Sequence, residues 1–235
     1  MKSKTFNFKQ FAVEQDKCAM KVNTDGVLLG AWATSTGAIN ILDIGTGTGV
    51  IALMMAQQNE HAIIDAIDID KDAYLQAKRN FETSNWAERL NAYNISLQNF
   101  VPDKKYDLLI SNPPYFINDF KTANKQKNIA RHSTELTYQD ILNHSNRLLN
   151  ENGSLYLVIP FFNLQLLQTI AIKFNLFISK VLEVTAQNGK RPYIVLIKLE
   201  RTENPIKKSE LIIQTNTGIF TVDYKQLTGN FYLKF

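Results

Sequence analysis

The chain has 235 residues, of which 45% are hydrophobic and 20% charged. This is enough for one α/β domain with a full core, and the composition excludes disordered and fibrous classes. No segment approaches the roughly 18 uncharged apolar residues of a membrane span, and the first twenty residues lack an apolar signal segment, so we expect a cytoplasmic protein. The single cysteine, Cys18, excludes an intramolecular disulfide, and with three scattered histidines we expect no metal site.

Charge is distributed unevenly along the chain. The formal net charge is +4, but residues 22–116 hold eleven acids and six bases, a balance of −5, which leaves +9 for the remainder. The basic surplus lies before residue 22, between residues 121 and 131, and in the C-terminal third. These segments could converge on one face around a site, or they could only solubilise loops.

From residue 39 the sequence alternates short β-rich apolar runs with longer amphipathic runs, a pattern typical of βαβ units. A turn signal at residues 187–190 predicts that the last two strands are antiparallel. In chain order the sequence predicts strand 39–44, helix 50–58, strand 62–69, helix 72–83, strands 91–94 and 106–111, a helix from Thr137 to Asn152-Gly153, strand 154–159, helix 164–174, and strands 178–184 and 193–199.

These elements predict an α/β, Rossmann-like fold with a seven-stranded, mostly parallel sheet and an antiparallel last strand. We expect one domain over residues 1–235, made of an N-terminal capping segment (1–38), a core (39–200) and a small strand-rich C-terminal appendage (201–235). Residues 116–136 form a polar, basic stretch without periodicity, and long connections of this kind tend to be functional lids or disordered.

Three glycines, Gly45, Gly47 and Gly49, stand between the first strand and the first helix of the core. Glycine lets the backbone turn sharply and leaves room for a ligand against the main chain. Asp68 ends the next strand 19 positions after Gly49, close to the spacing of about 20 expected for an acid that binds two ribose hydroxyls. The pattern predicts an adenosine-type cofactor, whereas the alternative is a ligand-free turn followed by a solvated acid.

Nicotinamide and sulfonium cofactors share this arrangement, and Asp43 discriminates between them. A dinucleotide presents its pyrophosphate to the helix N-terminus, where a nearby carboxylate is unfavourable. A cofactor with a cationic sulfur and an ammonium group is instead attracted by Asp43. S-adenosylmethionine (AdoMet) is therefore the predicted cofactor.

The sequence Asn112-Pro113-Pro114-Tyr115 follows the fourth strand, at the edge where open α/β sheets bind ligands. The prolines fix the turn, so the Asn112 side-chain oxygen and the Pro113 carbonyl can both accept hydrogen bonds from one amino group. Two such acceptors favour pyramidalisation of a delocalised nitrogen, and Tyr115 can stack on the planar group that carries it. A plain turn is the alternative for this motif alone, but together with the glycine loop and Asp68 it predicts methyl transfer to an amino nitrogen.

The chain thus resembles the class I AdoMet-dependent methyltransferases whose signature is Asn/Asp-Pro-Pro-Tyr/Phe. Over roughly residues 6–235 it is similar to the bacterial tRNA1(Val) (adenine-37-N6)-methyltransferase family, which modifies adenosine 37 of one valine tRNA. The resemblance implies the class I methyltransferase fold, and roles for Lys21, Thr24 and Asp25 near the methionine end of the cofactor. Without the family, Thr24-Asp25-Gly26 is a turn before a helix. The similarity rests on Phe8-Lys9-Gln10-Phe11, on residues 18–32, and on Asn85-Trp86-Ala87-Glu88-Arg89.

One position departs from the family pattern. Relatives usually carry an acid after the third strand that binds the adenine of AdoMet, and Ser96 stands there in this sequence. Serine accepts a weaker hydrogen bond, so Ile69 and Ile95 are expected to form an apolar sandwich around the adenine. The predicted RNA contacts are Lys9, Phe116, Lys121, Lys125, Lys127 and Arg131, with Lys2 and Lys4 on an N-terminal arm.

Two other function classes stay open beside a tRNA adenine methyltransferase. Protein glutamine methyltransferases that act on release factors use the same Asn-Pro-Pro-Tyr turn, and the basic segments and the short stretch before the first core strand argue against that class. An inactive AdoMet- or RNA-binding module is the third possibility, and the intact Asn112-Pro113-Pro114-Tyr115 argues against it. The predicted partner is tRNA, with no membrane partner and no predicted oligomeric state.

Overall fold

The structure, a computed structural model, describes residues 5–115 and 136–235. The helices in these two ranges are α1 (Thr24–Trp32), α2 (Val50–Gln58), α3 (Lys71–Glu82), α4 (Tyr138–Leu148), α5 (Leu164–Ile172) and α6 (Val222–Thr228). The strands are β1 (Thr5–Asn7), β2 (Ala12–Glu14), β3 (Asn40–Ile44), β4 (Ile63–Asp68), β5 (Leu90–Asn94), β6 (Tyr106–Ser111), β7 (Leu149–Pro160), β8 (Phe177–Gln187), β9 (Ile194–Glu200) and β10 (Lys207–Gln214).

A single large sheet organises the chain, with the strand order β10-β8-β9-β7-β6-β3-β4-β5. β3 to β7 run parallel to one another, and β9 lies antiparallel between β7 and β8. The predicted α/β fold class, with a mostly parallel sheet and an antiparallel final hairpin, is confirmed. The sheet has one strand more than the seven expected, because β10 pairs in parallel with β8 and buries Leu211 and Ile213 in the core.

The helix predicted from Thr137 begins as expected and ends earlier than expected. The Thr137 hydroxyl and the Asp140 carboxylate form a reciprocal capping box at the start of α4. The prediction that Asn152-Gly153 ends this helix is wrong, since α4 stops at Leu148 and Gly153 lies inside β7. A Cβ on Gly153 would approach the Tyr106 carbonyl oxygen to 2.9 Å, so this glycine permits close strand pairing.

Two apolar layers cover the two faces of the sheet. Alternate residues of each buried strand point to opposite layers, as shown by Ile41 on one face and Leu42 on the other. Helices α1 and α2 cover the first face, and α4 and α5 cover the second. The first two helices pack closely, because a Cβ on Gly30 would lie 2.7 Å from the Met54 sulfur.

The N-terminal and C-terminal segments pack against each other beside α1. β1 and β2 form a hairpin, and the turn between them pairs Phe8 with Tyr232. The Lys9 amide donates to the Phe231 carbonyl at 2.8 Å, and the Phe8 and Tyr232 rings stack with centroids 5.9 Å apart. The two ends of the described chain therefore build one aromatic layer next to the core.

Candidate functional site

The carboxyl edge of the sheet brings three predicted features together. The glycine loop follows β3, Asp68 is the last residue of β4, and Asn112 follows β6. β3 pairs in parallel with both β4 and β6, so the three segments leave the sheet side by side within about 10 Å. The three sequence motifs therefore lie together on one surface.

The glycine loop has a backbone that only glycine adopts readily. Gly45, Gly47 and Gly49 have φ values of 71°, 58° and 82°. A Cβ on Gly45 would meet nothing within 4 Å, whereas one on Gly49 would lie 2.5 Å from the buried Phe81 ring. The first glycine therefore borders open space, while the third allows the loop to pack on α3.

Asp68 anchors this loop, a role that the sequence did not indicate. Its carboxylate accepts hydrogen bonds from the Gly47 and Asp70 amides, each at 2.9 Å. Burial raises the pKa of Asp68 above its usual range, and these two amides lower it in part. Each oxygen keeps a further lone pair, so the side chain can still accept hydrogen bonds from a ligand.

Asp43 lies beneath the loop and is almost fully buried. One carboxylate oxygen accepts from the Thr46 hydroxyl at 2.6 Å, and Oδ1 makes no hydrogen bond of normal geometry with any described residue. Burial raises the pKa of Asp43 to about 7, against the opposing effects of Thr46 and the Ala52 amide. A buried carboxyl group with an unused oxygen fits a cationic ligand nearby.

The predicted adenine contacts also lie at this edge. Ile69, directly after β4, exposes 56% of its surface, and Ile95 is partly buried against the second apolar layer. The Asn94 amide group donates to the Ile69 carbonyl at 3.0 Å, which ties the two segments together. The Ser96 hydroxyl accepts from the Asn99 amide at 3.4 Å.

The segment between β2 and α1 crosses over the glycine loop. A Cβ on Gly47 would lie 3.7 Å from the Cys18 sulfur. The Lys17 amide donates to the Gln76 side chain on α3 at 3.2 Å, which holds this segment in place. Lys21 follows and is exposed. The N-terminal residues therefore contribute one wall of the space above the loop.

Thr24 and Asp25 form the first turn of α1, which begins at Thr24, and are not a turn before the helix. The Asn23 side chain caps the helix by accepting from the Gly26 amide at 2.8 Å. A Cβ on Gly26 would lie 3.4 Å from Nδ2 of Asn112. This end of α1 therefore lies directly against the Asn-Pro-Pro-Tyr turn.

Asn112 is half-buried, and its side chain makes no hydrogen bond with any residue in the described ranges. Pro113 is buried and Pro114 is exposed, so the turn is fixed on its inner side and open on its outer side. The amide of Asn112 is thus free to bind a group that enters this edge.

Asp25 connects the turn to a residue that the sequence reasoning missed. The carboxylate of Asp25 accepts hydrogen bonds from the Tyr115 hydroxyl and, at 3.1 Å, from the Tyr193 hydroxyl. The pKa of Tyr115 is raised well above its usual value, mainly by burial and to a smaller extent by the Asp25 carboxylate. The hydroxyl therefore stays a donor. Tyr193 directly precedes β9, and because β9 is antiparallel to β7 its first residue lies at the carboxyl edge. The predicted antiparallel direction of this strand was the signal that could have placed Tyr193 at the site.

The basic segments converge only in part. Lys9 is exposed and its ammonium group donates to the Gly229 carbonyl, and Lys190 and Arg191 are exposed before β9 at the carboxyl edge. Arg201 lies at the opposite edge, where its guanidinium binds the Leu149 carbonyl at 3.3 Å. The other predicted RNA contacts fall outside the described residues, namely Lys2, Lys4, Phe116, Lys121, Lys125, Lys127 and Arg131.

The described residues hold neither a candidate metal site nor a candidate membrane-spanning helix. No group of three or more His, Cys, Asp or Glu side chains in residues 5–115 and 136–235 could hold a metal ion. No helix in these ranges has the length and apolar character needed to cross a membrane.

Known proteins are similar to this chain in fold and in sequence. A predicted O-methyltransferase from Agrobacterium tumefaciens superposes with a TM-score of 0.67 at 17% identity, over 88% of this chain and 96% of that chain, and shows the fold alone. The methyltransferase small domain family matches residues 24–189. Proteins named tRNA1(Val) (adenine(37)-N6)-methyltransferase are 42% identical in Flavobacterium psychrophilum (97% of this chain, 99% of the relative) and 44% identical in Parabacteroides distasonis (97% and 98%).

The two relatives match nearly the whole chain, and the family model spans both the glycine loop and the Asn-Pro-Pro-Tyr turn. The chain is therefore a methyltransferase, and AdoMet is its cofactor. It belongs to the tRNA1(Val) (adenine(37)-N6)-methyltransferase family.

Proposed function

We propose that this chain transfers the methyl group of AdoMet to the N6 amino group of adenosine 37 in a valine tRNA. The full-length relatives carry this activity in their names. The observation that carries the proposal is the position of Asn112, whose unbonded amide lies beside the first turn of α1 at the edge that also holds the glycine loop.

The residues present fit AdoMet, which when bound supplies an electrophilic methyl group. Asp68 would accept hydrogen bonds from its ribose hydroxyls, and the exposed Ile69 and the partly buried Ile95 would hold its adenine. The open space at Gly45 receives the methionine end, with Lys21, Thr24 and Asp25 as its other wall. The unpaired oxygen of Asp43 supplies the negative potential that a sulfonium and an ammonium group require.

Asn112 and Pro113 make the target nitrogen reactive. The N6 lone pair of adenine is delocalised into the ring, which makes the amine a poor nucleophile. The Asn112 side-chain oxygen and the Pro113 carbonyl accept the two amino hydrogens and hold the lone pair toward the methyl group. Methyl transfer would break the carbon–sulfur bond of the cofactor as the carbon–nitrogen bond forms. Because Asn112 is neutral and cannot act as a base, the N6 proton would leave afterwards, to solvent.

Tyr115 positions the base. An adenine in an anticodon loop must leave its stack to reach Asn112, and loops release bases at low cost. The ring of Tyr115 stacks on the extruded adenine, and its hydroxyl bond to Asp25 fixes the ring orientation. Basic residues outside the range 22–116 contact the phosphates, and we expect the protein to act in the cytoplasm with tRNA as its partner.

A release factor with a target glutamine is the competing substrate, because its amide nitrogen fits the same two acceptors. The deciding experiment transfers labelled methyl groups from AdoMet to bulk tRNA, genomic DNA and purified release factors, all from a strain that lacks this protein. We expect label only in tRNA, as N6-methyladenosine. Label in a release factor assigns the competing function, and label in none of the three pools contradicts both.

A further inference from the structure

An aromatic cavity lies at the carboxyl edge beyond the residues assigned above. It has a volume of about 550 Å³, within the range of small-molecule sites. The ends of β8 and β10 form its floor, at Ala186 and Gln214. Six aromatic side chains line it, namely Phe6, Tyr193, Phe220, Tyr224, Tyr232 and Phe235.

The cavity adjoins the catalytic turn through two shared residues. Thr24 and Tyr193 line it, and Tyr193 also binds Asp25, which binds Tyr115. In the sheet, β9 is two strands from β6, a distance of about 10 Å. The cavity is therefore a neighbour of the target site along the same edge.

The aromatic rings contact one another but remain partly open to solvent. Phe235 meets Tyr224 and Tyr232 edge to face, with centroids 6.0 and 5.9 Å apart, and still exposes 45% of its surface. Tyr193 exposes 39%. Exposed aromatic surface around a cavity is typical of a binding site and is unusual for a packed core.

The charges at the cavity favour an anionic ligand. Lys234 lines it, and no Asp or Glu is among its lining residues in the described parts of the chain. Lys9 lies near it, with its ammonium group on the Gly229 carbonyl two residues before Phe231. Aromatic rings beside basic side chains are the combination that binds unpaired nucleotides, with the rings stacking on bases and the cations contacting phosphates.

We propose that this cavity binds a nucleobase that neighbours the methylated adenosine in the RNA, with Phe235 as a stacking surface and Lys234 on the adjoining phosphate. The proposal rests on the proposed function. When one adenine is extruded into the catalytic turn, the neighbouring nucleotides lose their stacking partner, and a second aromatic surface farther along the same edge compensates for that loss. Recognition of a neighbouring base also makes the enzyme selective for one loop.

The test couples a protein change to an RNA change. Two variant anticodon stem-loops are used. One carries an abasic nucleotide directly before the target adenosine, and the other carries it directly after. Methylation by wild-type protein and by Phe235→Leu is measured under single-turnover conditions at low RNA concentration. Tyr93→Leu is the matched control, because Tyr93 is similarly exposed (42%) and lies on β5, at the other end of the sheet from β10.

With wild-type protein, one abasic position should lower the rate constant about tenfold or more, as expected for one lost base–aromatic stack. Phe235→Leu should lower the rate constant on intact RNA by a similar factor. In this variant the same abasic position should lower the rate constant less than twofold further. Tyr93→Leu should behave as wild type. AdoMet affinity, measured by calorimetry, should be unchanged in both variants, which separates a lost RNA contact from misfolding.

If the abasic position lowers the rate constant by the same factor in Phe235→Leu as in wild type, the two effects are independent. That result would overturn the cavity proposal and leave the proposed function intact. Wild-type protein that methylates release factor and no RNA would overturn both. If Phe235→Leu methylates the stem-loop as wild type does but loses methylation of a peptide substrate, the cavity binds a protein partner instead.

Discussion

The hydroxyl of Tyr115 donates a hydrogen bond to the carboxylate of Asp25, which lies 90 residues earlier in the chain. This bond ties the Asn-Pro-Pro-Tyr turn to the first turn of α1. Because Asp25 also binds Tyr193, one carboxylate positions two aromatic rings at the carboxyl edge. In our proposal the N-terminal segment is therefore part of the substrate site as well as a wall of the cofactor space.

Removal of this hydroxyl should weaken catalysis more than binding. Tyr115→Phe keeps the ring but frees its orientation, so we expect the single-turnover rate constant to fall about five- to tenfold at unchanged AdoMet affinity. Tyr193→Phe removes the other bond to Asp25 and leaves Tyr115 held, so its rate should fall less. Equal wild-type rates in both variants would show that Asp25 does not orient Tyr115.

Asp68 combines two roles that one substitution cannot separate, since it binds both the loop and, in our account, the ribose. The affinities of S-adenosylhomocysteine and its 2′-deoxy analogue should be measured for wild type and Asp68→Asn by calorimetry. Loss of the hydroxyl should weaken binding to wild type about tenfold or more, and to Asp68→Asn less than threefold. An equal loss in both proteins would restrict Asp68 to its structural bond with Gly47.

Asp43 should make AdoMet binding depend on pH. Its pKa in the free protein is about 7, so near pH 6 a cationic ligand must bind to a mostly protonated carboxyl group and expel its proton. Affinity should rise from pH 5.5 to 7, and calorimetry in buffers of different ionisation enthalpy should detect proton release. Asp43→Asn should abolish the Asp43 part of both effects. A wild-type profile identical to that of Asp43→Asn would contradict this role.

The same group should affect the stability of the free protein in the opposite direction. Its pKa rises from 3.8 to about 7 on folding, so between these values the folded state holds more protons than the unfolded state. Stability from this group is therefore lost as pH rises from about 4 to 7. In urea denaturation the wild-type protein should lose stability over this range relative to Asp43→Asn.

Gly49 should tolerate a side chain less well than another glycine of similar conformation. Gly49 and Gly37 have φ values of 82° and 79°, but a Cβ meets the Phe81 ring only at Gly49. Gly37→Ala should lower the free energy of unfolding by about 1 to 2 kcal/mol, the cost of a left-handed backbone. Gly49→Ala should cost about 1 to 3 kcal/mol more through overpacking. Equal unfolding free energies would mean that Phe81 moves freely.

Much of the fold could be predicted from the sequence because βαβ units carry local signals. The runs ending near Ile44, Asp68 and Ser111 are short and apolar and are followed by turn residues, so strand type agrees with the structure and the strand ends agree to within one residue. The boundary at Gly153 was wrong because a glycine that ends a helix and a glycine that permits close strand pairing look alike in sequence. β10 was missed as a sheet member because its pairing with β8 depends on residues far apart in the chain.

The candidate site could be predicted where it is formed by residues consecutive in sequence. It could not be predicted where it is formed by the packing of distant segments. Gly45, Asp68 and Asn112 are conspicuous in their local sequences, and the parallel sheet brings them together. Tyr193 and the aromatic cavity come from segments whose proximity arises from tertiary packing. A compositional signal was present, since five aromatic residues lie within the last sixteen, but their common cavity depends on contact with Phe6 at the other end of the chain.

The most direct test of the central claim is single-turnover methylation of the valine tRNA by Asn112→Ala, with the product nucleoside identified and its position mapped. Wild-type protein should form N6-methyladenosine at position 37. Asn112→Ala should bind AdoMet with nearly unchanged affinity and lower the rate constant by about 100-fold or more, because the amino group loses one of its two acceptors. A wild-type rate in Asn112→Ala would contradict the account.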